Sequence, residues 1–167
     1  MAEPAAFLAG LVPSRLQSGT LYAFLHPINS KEVPLRQIKP IMKFSIDKQE
    51  RYTLIRPAEE NLNSAVAPQL KSEFVILANE GIANLILDLS DVHYVDSSGL
   101  SAILTARRLW SGLGTFVVTG VNHPAVKRLV EISKVDSVLT ILPTVSESSD
   151  FIMMEELQRD LQGEGDE

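Results

Sequence analysis

The chain has 167 residues, 45% of them hydrophobic, no cysteine and a formal net charge of −6. That composition supports one core of ordinary size and excludes disulfides, thiolate nucleophiles and cysteine–zinc sites. Its acidic balance provides no basic footprint for direct nucleic-acid binding or for an anionic membrane.

Residues 1–41 carry five of the nine prolines, Pro4, Pro13, Pro27, Pro34 and Pro40, and sustain neither a helical nor a strand period. Proline at that density removes backbone donors and biases its neighbours to extended conformations, so a proline-rich, poorly ordered N-terminal extension is expected. Within it, the apolar patch Ala5–Val12 follows Glu3 where a signal peptide has a basic residue. No apolar run reaches the roughly 18 residues of a membrane-spanning helix, so no membrane insertion is expected and the chain reads as cytoplasmic. Met42 opens what looks like the start of a domain, and the sequence leaves open whether residues 1–41 extend it or translation begins at Met42.

From there strands and helices alternate. Lys43–Ile46 and Tyr52–Arg56 are short strand candidates separated by a polar turn, close enough for an antiparallel hairpin. Val66, Leu70, Phe74, Leu77 and Ala78 follow at helical spacing, with Asn63 or Ser64 as a candidate cap, Pro68 in the first turn and Gly81 at the exit. Asn84–Leu89 is nearly all aliphatic, as a central strand covered on both faces should be. Gly99, Ala102, Ile103, Ala106, Trp110 and Leu113 share one face of the next helix. Thr115–Thr119 is a further strand, Pro124 opens the helix PAVKRLVEIS, and Val138–Leu142 is a last short strand. Thr144 and Glu147 have the spacing of a capping box before a final helix, with Met154, Leu157 and Leu161 on its expected core face. The predicted architecture is an α/β domain over 42–161, a mixed four- to five-stranded sheet with about four helices packed on it. Residues 162–167 form an acidic tail.

The stretch Tyr94–Leu100, YVDSSGL, leaves the central strand and enters a helix. Asp96 or Ser97 there is a preferred helix cap. A nucleophilic role for Ser97 finds little support: Val95 stands where the first glycine of a G-x-S-x-G elbow belongs, and neither His26, His93 nor His123 is placed as a general base held by a third group. Asp88, Asp91 and Asp96 cluster without metal-ligand spacing, and no Walker loop is present. No catalytic residue, metal or cofactor is predicted. A third reading makes Ser97 a phosphorylation switch, since a helix start tolerates a phosphate's negative charge while a docked partner need not.

LILDLSDVHYVDSSGLSAIL resembles the signature of the STAS domain, shared by anti-sigma factor antagonists and the cytoplasmic parts of sulphate transporters. LNSAVAPQLK is similar to that domain's loop and first helix, with Asn63 where aspartate is common, and HPAVKRLVEISKVDSVLTIL to its last strand region. The resemblance spans about Met42 to Leu161. In the antagonist branch it implies that Ser97 is phosphorylated by an ATP-dependent anti-sigma factor serine kinase. The unmodified antagonist captures this kinase, releasing a sigma factor for transcription, and a PPM-type serine phosphatase restores capture after phosphorylation. The antagonist is then substrate and binder, not enzyme. Asp96, Ser98, Gly99, Leu100, Leu104 and Arg107 become candidate partner contacts, with Asn61 and Asn63 on a loop that the family places near the phosphorylation site. Each also has a structural role available to it, as cap, packing glycine or half-buried helix flank. The same domain also serves as a scaffold in stress-signalling assemblies and as a subunit of lipid-transport ABC complexes, neither of which needs a reversible phosphoserine.

Overall fold

A computed structural model of the protein describes residues 42–163. The expectation for residues 1–41 lies outside this range, as do residues 164–167 of the acidic tail expected over 162–167; its first two residues, Gln162 and Gly163, instead continue the last helix. Among the described residues, seven strands and four α-helices follow in the order β1 (Phe44–Lys48), β2 (Thr53–Pro57), β3 (Asn61–Leu62), α1 (Ala67–Asn79), β4 (Asn84–Asp88), β5 (Tyr94–Val95), α2 (Ser97–Trp110), β6 (Thr115–Thr119), α3 (Pro124–Ser133), β7 (Thr140–Leu142) and α4 (Val145–Gly163). A 3-10 turn over Val135–Ser137 separates α3 from β7.

The main sheet has the order β1-β2-β4-β6-β7. Its first pair is an antiparallel hairpin and every other pairing is parallel, so the sheet is mixed, as predicted. Strand β4 is buried at all five positions, and the two-residue period divides it between the faces. Leu85 and Leu87 join the large core beneath α1, α2 and α3, built around Leu70, Phe74, Ala102, Trp110 and Val126. Ile86 points to the other face, where it meets Val117 and Ile152 of α4. Phe74 stands edge-on to both Trp110 and Phe116, and Trp110 Nε1 donates to the Ile82 carbonyl at 3.0 Å.

Several sequence expectations need correction. Helix α1 begins with Pro68 in its first turn and leaves through Gly81 at φ 80°, as expected, but its N-cap is Val66 with no side-chain cap. Asn63 instead shapes the preceding turn, its Oδ1 accepting from Ala65 N at 2.9 Å and its carbonyl from Ala67 N at 2.8 Å. Leu113 lies beyond the end of α2 and is exposed, because the chain turns out at Ser111. Val138 also belongs outside, after the 3-10 turn, and the last strand begins only at Thr140.

The face of α4 is the largest departure. Thr144 Oγ1 accepts from Glu147 N at 3.2 Å, in the sense of the predicted cap. Yet Met154, Leu157 and Leu161 are 60, 54 and 71% exposed, while Ser148 and Ile152 are buried. The helix is turned this way by a polar anchor. Asn84, at the start of β4, donates to Arg51 O at 2.8 Å and to Glu156 Oε1 at 2.6 Å. Its Oδ1 accepts from Thr115 N at 3.1 Å and Arg159 Nη2 at 3.3 Å. All four hydrogen-bonding valences of this buried amide are used, and they orient Glu156 and Arg159 inward at the expense of the leucines.

Candidate functional site

The stretch Tyr94–Leu100 is held by a second, two-stranded sheet whose strands are too short to show a period in the sequence. Strands β3 and β5 pair in parallel, setting Asn61 beside Tyr94 and Leu62 beside Val95. The Glu60 carbonyl accepts from His93 N at 2.7 Å and Tyr94 N at 3.0 Å, and Leu62 O accepts from Asp96 N at 3.1 Å. The Asn61–Asn63 loop is thereby brought to the entry of α2. Gly99 makes this approach possible: it is buried, and a Cβ on it would stand 2.3 Å from the Leu62 carbonyl oxygen. Its place in this structure is at that packing contact.

Asp96 is the cap of α2. With extended backbone (φ −95°, ψ −175°) its Oδ1 accepts from Gly99 N at 2.9 Å, and its carbonyl accepts from Leu100 N. This satisfies one of the first-turn donors that have no intrahelical acceptor. Of the two predicted caps, then, it is the aspartate that takes the role. Ser97 is the first helical residue and is exposed; Ser98 is half-buried beside it.

Helix α2 has two flanks. On the side of α1 an open groove of about 250 Å³ is lined by Ser64, Ala67, Pro68, Lys71, Ser97, Ser98 and Ser101. Lys71 Nζ donates to Ser101 Oγ across it at 3.2 Å. On the other side, Leu100 lines a small apolar void with Val126, Val135 and Leu139. Arg107 Nε donates to the Val138 carbonyl at 3.0 Å, and Leu104 is half-buried against the same core. The predicted contact residues are thus distributed around α2 and do not line one pocket. Lys71 and Ser101 were not singled out from the sequence, and Ser64 only as a candidate cap of α1. The only local signal was a lysine one turn inside α1, and its approach to α2 depends on how the two helices pack.

An ion pair between a buried carboxylate and a partly exposed arginine braces the loop from below. Asp88, 1% exposed at the end of β4, accepts from Arg56 Nε at 2.8 Å and Nη2 at 2.5 Å. Its other oxygen accepts from Ser90 N at 2.9 Å and from Ser90 Oγ. Hydrogen bonds to Asp88, then its charge, raise the Arg56 guanidinium above its usual range against a small opposing effect of burial. Gly120, at φ 71°, leaves room for this arrangement, since a Cβ there would fall 2.3 Å from Asp88 Oδ1. Asp88 is therefore committed to fixing the β4–α2 loop. The histidines near the loop are engaged elsewhere. His93 stacks on His123 with ring centroids 4.9 Å apart, and His123 Nδ1 accepts from Ala125 N at 3.3 Å. Among the described residues no group of three His, Asp or Glu side chains is arranged to hold a metal ion, and no helix is long and apolar enough to cross a membrane.

Known proteins share this fold. The model of the STAS domain matches residues 43–148. The provisionally named anti-sigma factor antagonist BtrV of Bordetella bronchiseptica is 32% identical over 106 residues, covering 63% of this chain and 87% of that protein. An anti-sigma factor antagonist from Mycobacterium paratuberculosis superposes with a TM-score of 0.62 at 17% identity, over 67% of this chain and 94% of that one. The Bacillus protein SpoIIAA superposes in its phosphorylated form with a TM-score of 0.51 at 17% identity, over 66% and 99% of the two chains. In its unphosphorylated form the values are 0.56 and 18%, over 66% and 96%. The domain over residues 43–148 places this chain in the STAS family, among the anti-sigma factor antagonists, which are binding proteins and not enzymes.

Proposed function

We propose that this protein is an anti-sigma factor antagonist switched by phosphorylation of Ser97. The unmodified chain captures an ATP-dependent anti-sigma factor serine kinase in the cytoplasm and so frees a sigma factor. The kinase transfers the ATP γ-phosphoryl group to Ser97 Oγ, releasing ADP and the hydroxyl proton, and capture is lost. A PPM-type phosphatase hydrolyses the phosphoester and resets the switch.

One observation carries the reading: Asp96, not Ser97, caps α2, so the serine is exposed at the helix start and its modification removes no cap. A phosphate adds about 1.5 to 2 negative charges at a helix end that tolerates them, so the fold survives while the docking surface changes. Asn61, Asn63, Asp96, Ser98, Leu100, Leu104 and Arg107 surround the entry and outer flanks of α2 and supply the rest of that surface. Gly99 contributes by letting α2 lie close to β3. The test is incubation with the cognate kinase and ATP, followed by mass-spectrometric mapping. Phosphate on Ser97, abolished in Ser97→Ala, is the expected result; undiminished incorporation into Ser97→Ala refutes the assignment.

A further inference from the structure

We infer that Lys71 is a built-in partner for the phosphorylated serine, a cation on α1 that receives the phosphoryl group of Ser97 and holds it along the α1–α2 groove. The inference rests on the switch reading above. Lys71 is the sole charged side chain among the residues lining the groove that Ser97, Ser98 and Ser101 share. In the unmodified protein its ammonium is bonded to Ser101 Oγ at 3.2 Å. Ser101 lies one helical turn after Ser97, a spacing that puts their Cβ atoms roughly 5–6 Å apart on one face of α2. A phosphoryl group on Ser97 Oγ extends further into that gap. A lysine side chain, a point charge on a flexible stem, covers the remaining distance by rotation.

The exchange is favourable in charge. Lys71 gives up a hydrogen bond to a neutral hydroxyl and gains a charge-assisted one to a dianion, about twice as strong. The adjoining carboxylate, Asp96, already accepts from Gly99 N and so is tied into the cap. The N–H groups of Ser97 and Ser98 occupy first-turn positions without an intrahelical acceptor and add donors to the same side. The phosphate is thereby kept on the molecule's own surface, partly neutralised, and Lys71 is withdrawn from Ser101.

The test uses the full chain with phosphoserine installed genetically at position 97, followed by phosphorus NMR over a pH titration. A free phosphoserine has its second pKa near 6. A neighbouring ammonium favours the dianion, so in the otherwise wild-type protein this pKa should lie lower than in the same chain unfolded in urea. Lys71→Gln should reverse about half a unit or more of that shift, and Lys71→Arg should preserve it. Ser101→Ala, which frees Lys71 from its resting partner, should keep or deepen it. Equal titration of phosphoserine in the folded wild type and in Lys71→Gln overturns the assignment. So does a folded wild type that titrates like the unfolded chain, a comparison that needs no variant. Because the phosphate is installed without a kinase, failure here leaves the switch reading standing. That reading fails separately, if kinase treatment leaves Ser97 unmodified.

Discussion

Replacing Gly99 by alanine probes the contact that positions the switch loop. The added Cβ would stand 2.3 Å from the Leu62 carbonyl oxygen and 2.9 Å from Val95 Cγ1. Leu62 O is backbone and also accepts the hydrogen bond from Asp96 N, so it cannot rotate aside. Relief requires the start of α2 to move from β3 by roughly 1 Å. Overpacking of this kind costs about 1–3 kcal/mol, and the better helix propensity of alanine returns up to about 1 kcal/mol. A net loss of about 1–2 kcal/mol is expected, lowering Tm by roughly 3–8 °C for a domain of this size. Gly112→Ala is the matched control, because a Cβ there meets nothing within 4 Å. Urea unfolding of both variants, followed by circular dichroism, gives the comparison: Gly99→Ala should shift the midpoint down with an unchanged slope, and Gly112→Ala should leave it near wild type. A Gly99→Ala protein as stable as Gly112→Ala would refute the argument that the α2–β3 approach needs a glycine.

Asn84→Asp should cost about 3 kcal/mol, more than its isosteric shape suggests, because it turns two donors toward the Arg51 carbonyl and Glu156 into acceptors; denaturant titration checks this. Arg56→Ala should cost about 2 kcal/mol by removing two of the donors to buried Asp88 while the two from Ser90 remain. Since the pairing raises Arg56, its contribution is fully present below arginine's ordinary range and lost only as pH climbs past it. The stability difference between wild type and Arg56→Ala should therefore show no step traceable to Arg56 between neutral and moderately alkaline pH. Asp96→Ala should lose about 1 kcal/mol with the cap, whereas Ser97→Ala should stay within about 0.5 kcal/mol of wild type; the reverse order in thermal unfolding would reassign the cap.

Much of the fold was legible because its core elements carry their own periods. The aliphatic run of β4 and the small-residue face of α2 each had one sensible placement. What was not legible depended on contacts distant in sequence. The apolar stripe Met154–Leu157–Leu161 has the spacing of a core face, yet Asn84, some seventy residues earlier, decides through Glu156 and Arg159 which way α4 turns. The strands β3 and β5 are two residues each and too short for any period. At the site, the cap could be narrowed to Asp96 or Ser97 from residue type alone, but the choice between them needed the Gly99 N geometry. Lys71 closes the stretch LNSAVAPQLK with no role marked for it there, and only the packing of α1 on α2 brings it to the serines.

Phosphate at Ser97 is expected to change binding and not folding. Titration calorimetry of the anti-sigma factor kinase against the unmodified and the Ser97-phosphorylated chain measures it directly, with circular dichroism on both forms. Superimposable spectra and an affinity lowered by about a hundredfold, a few kcal/mol, are expected on phosphorylation. Equal affinities for the two forms would contradict it, leaving Asp96–Gly99 as a capped helix entry and Ser97 as an ordinary surface serine.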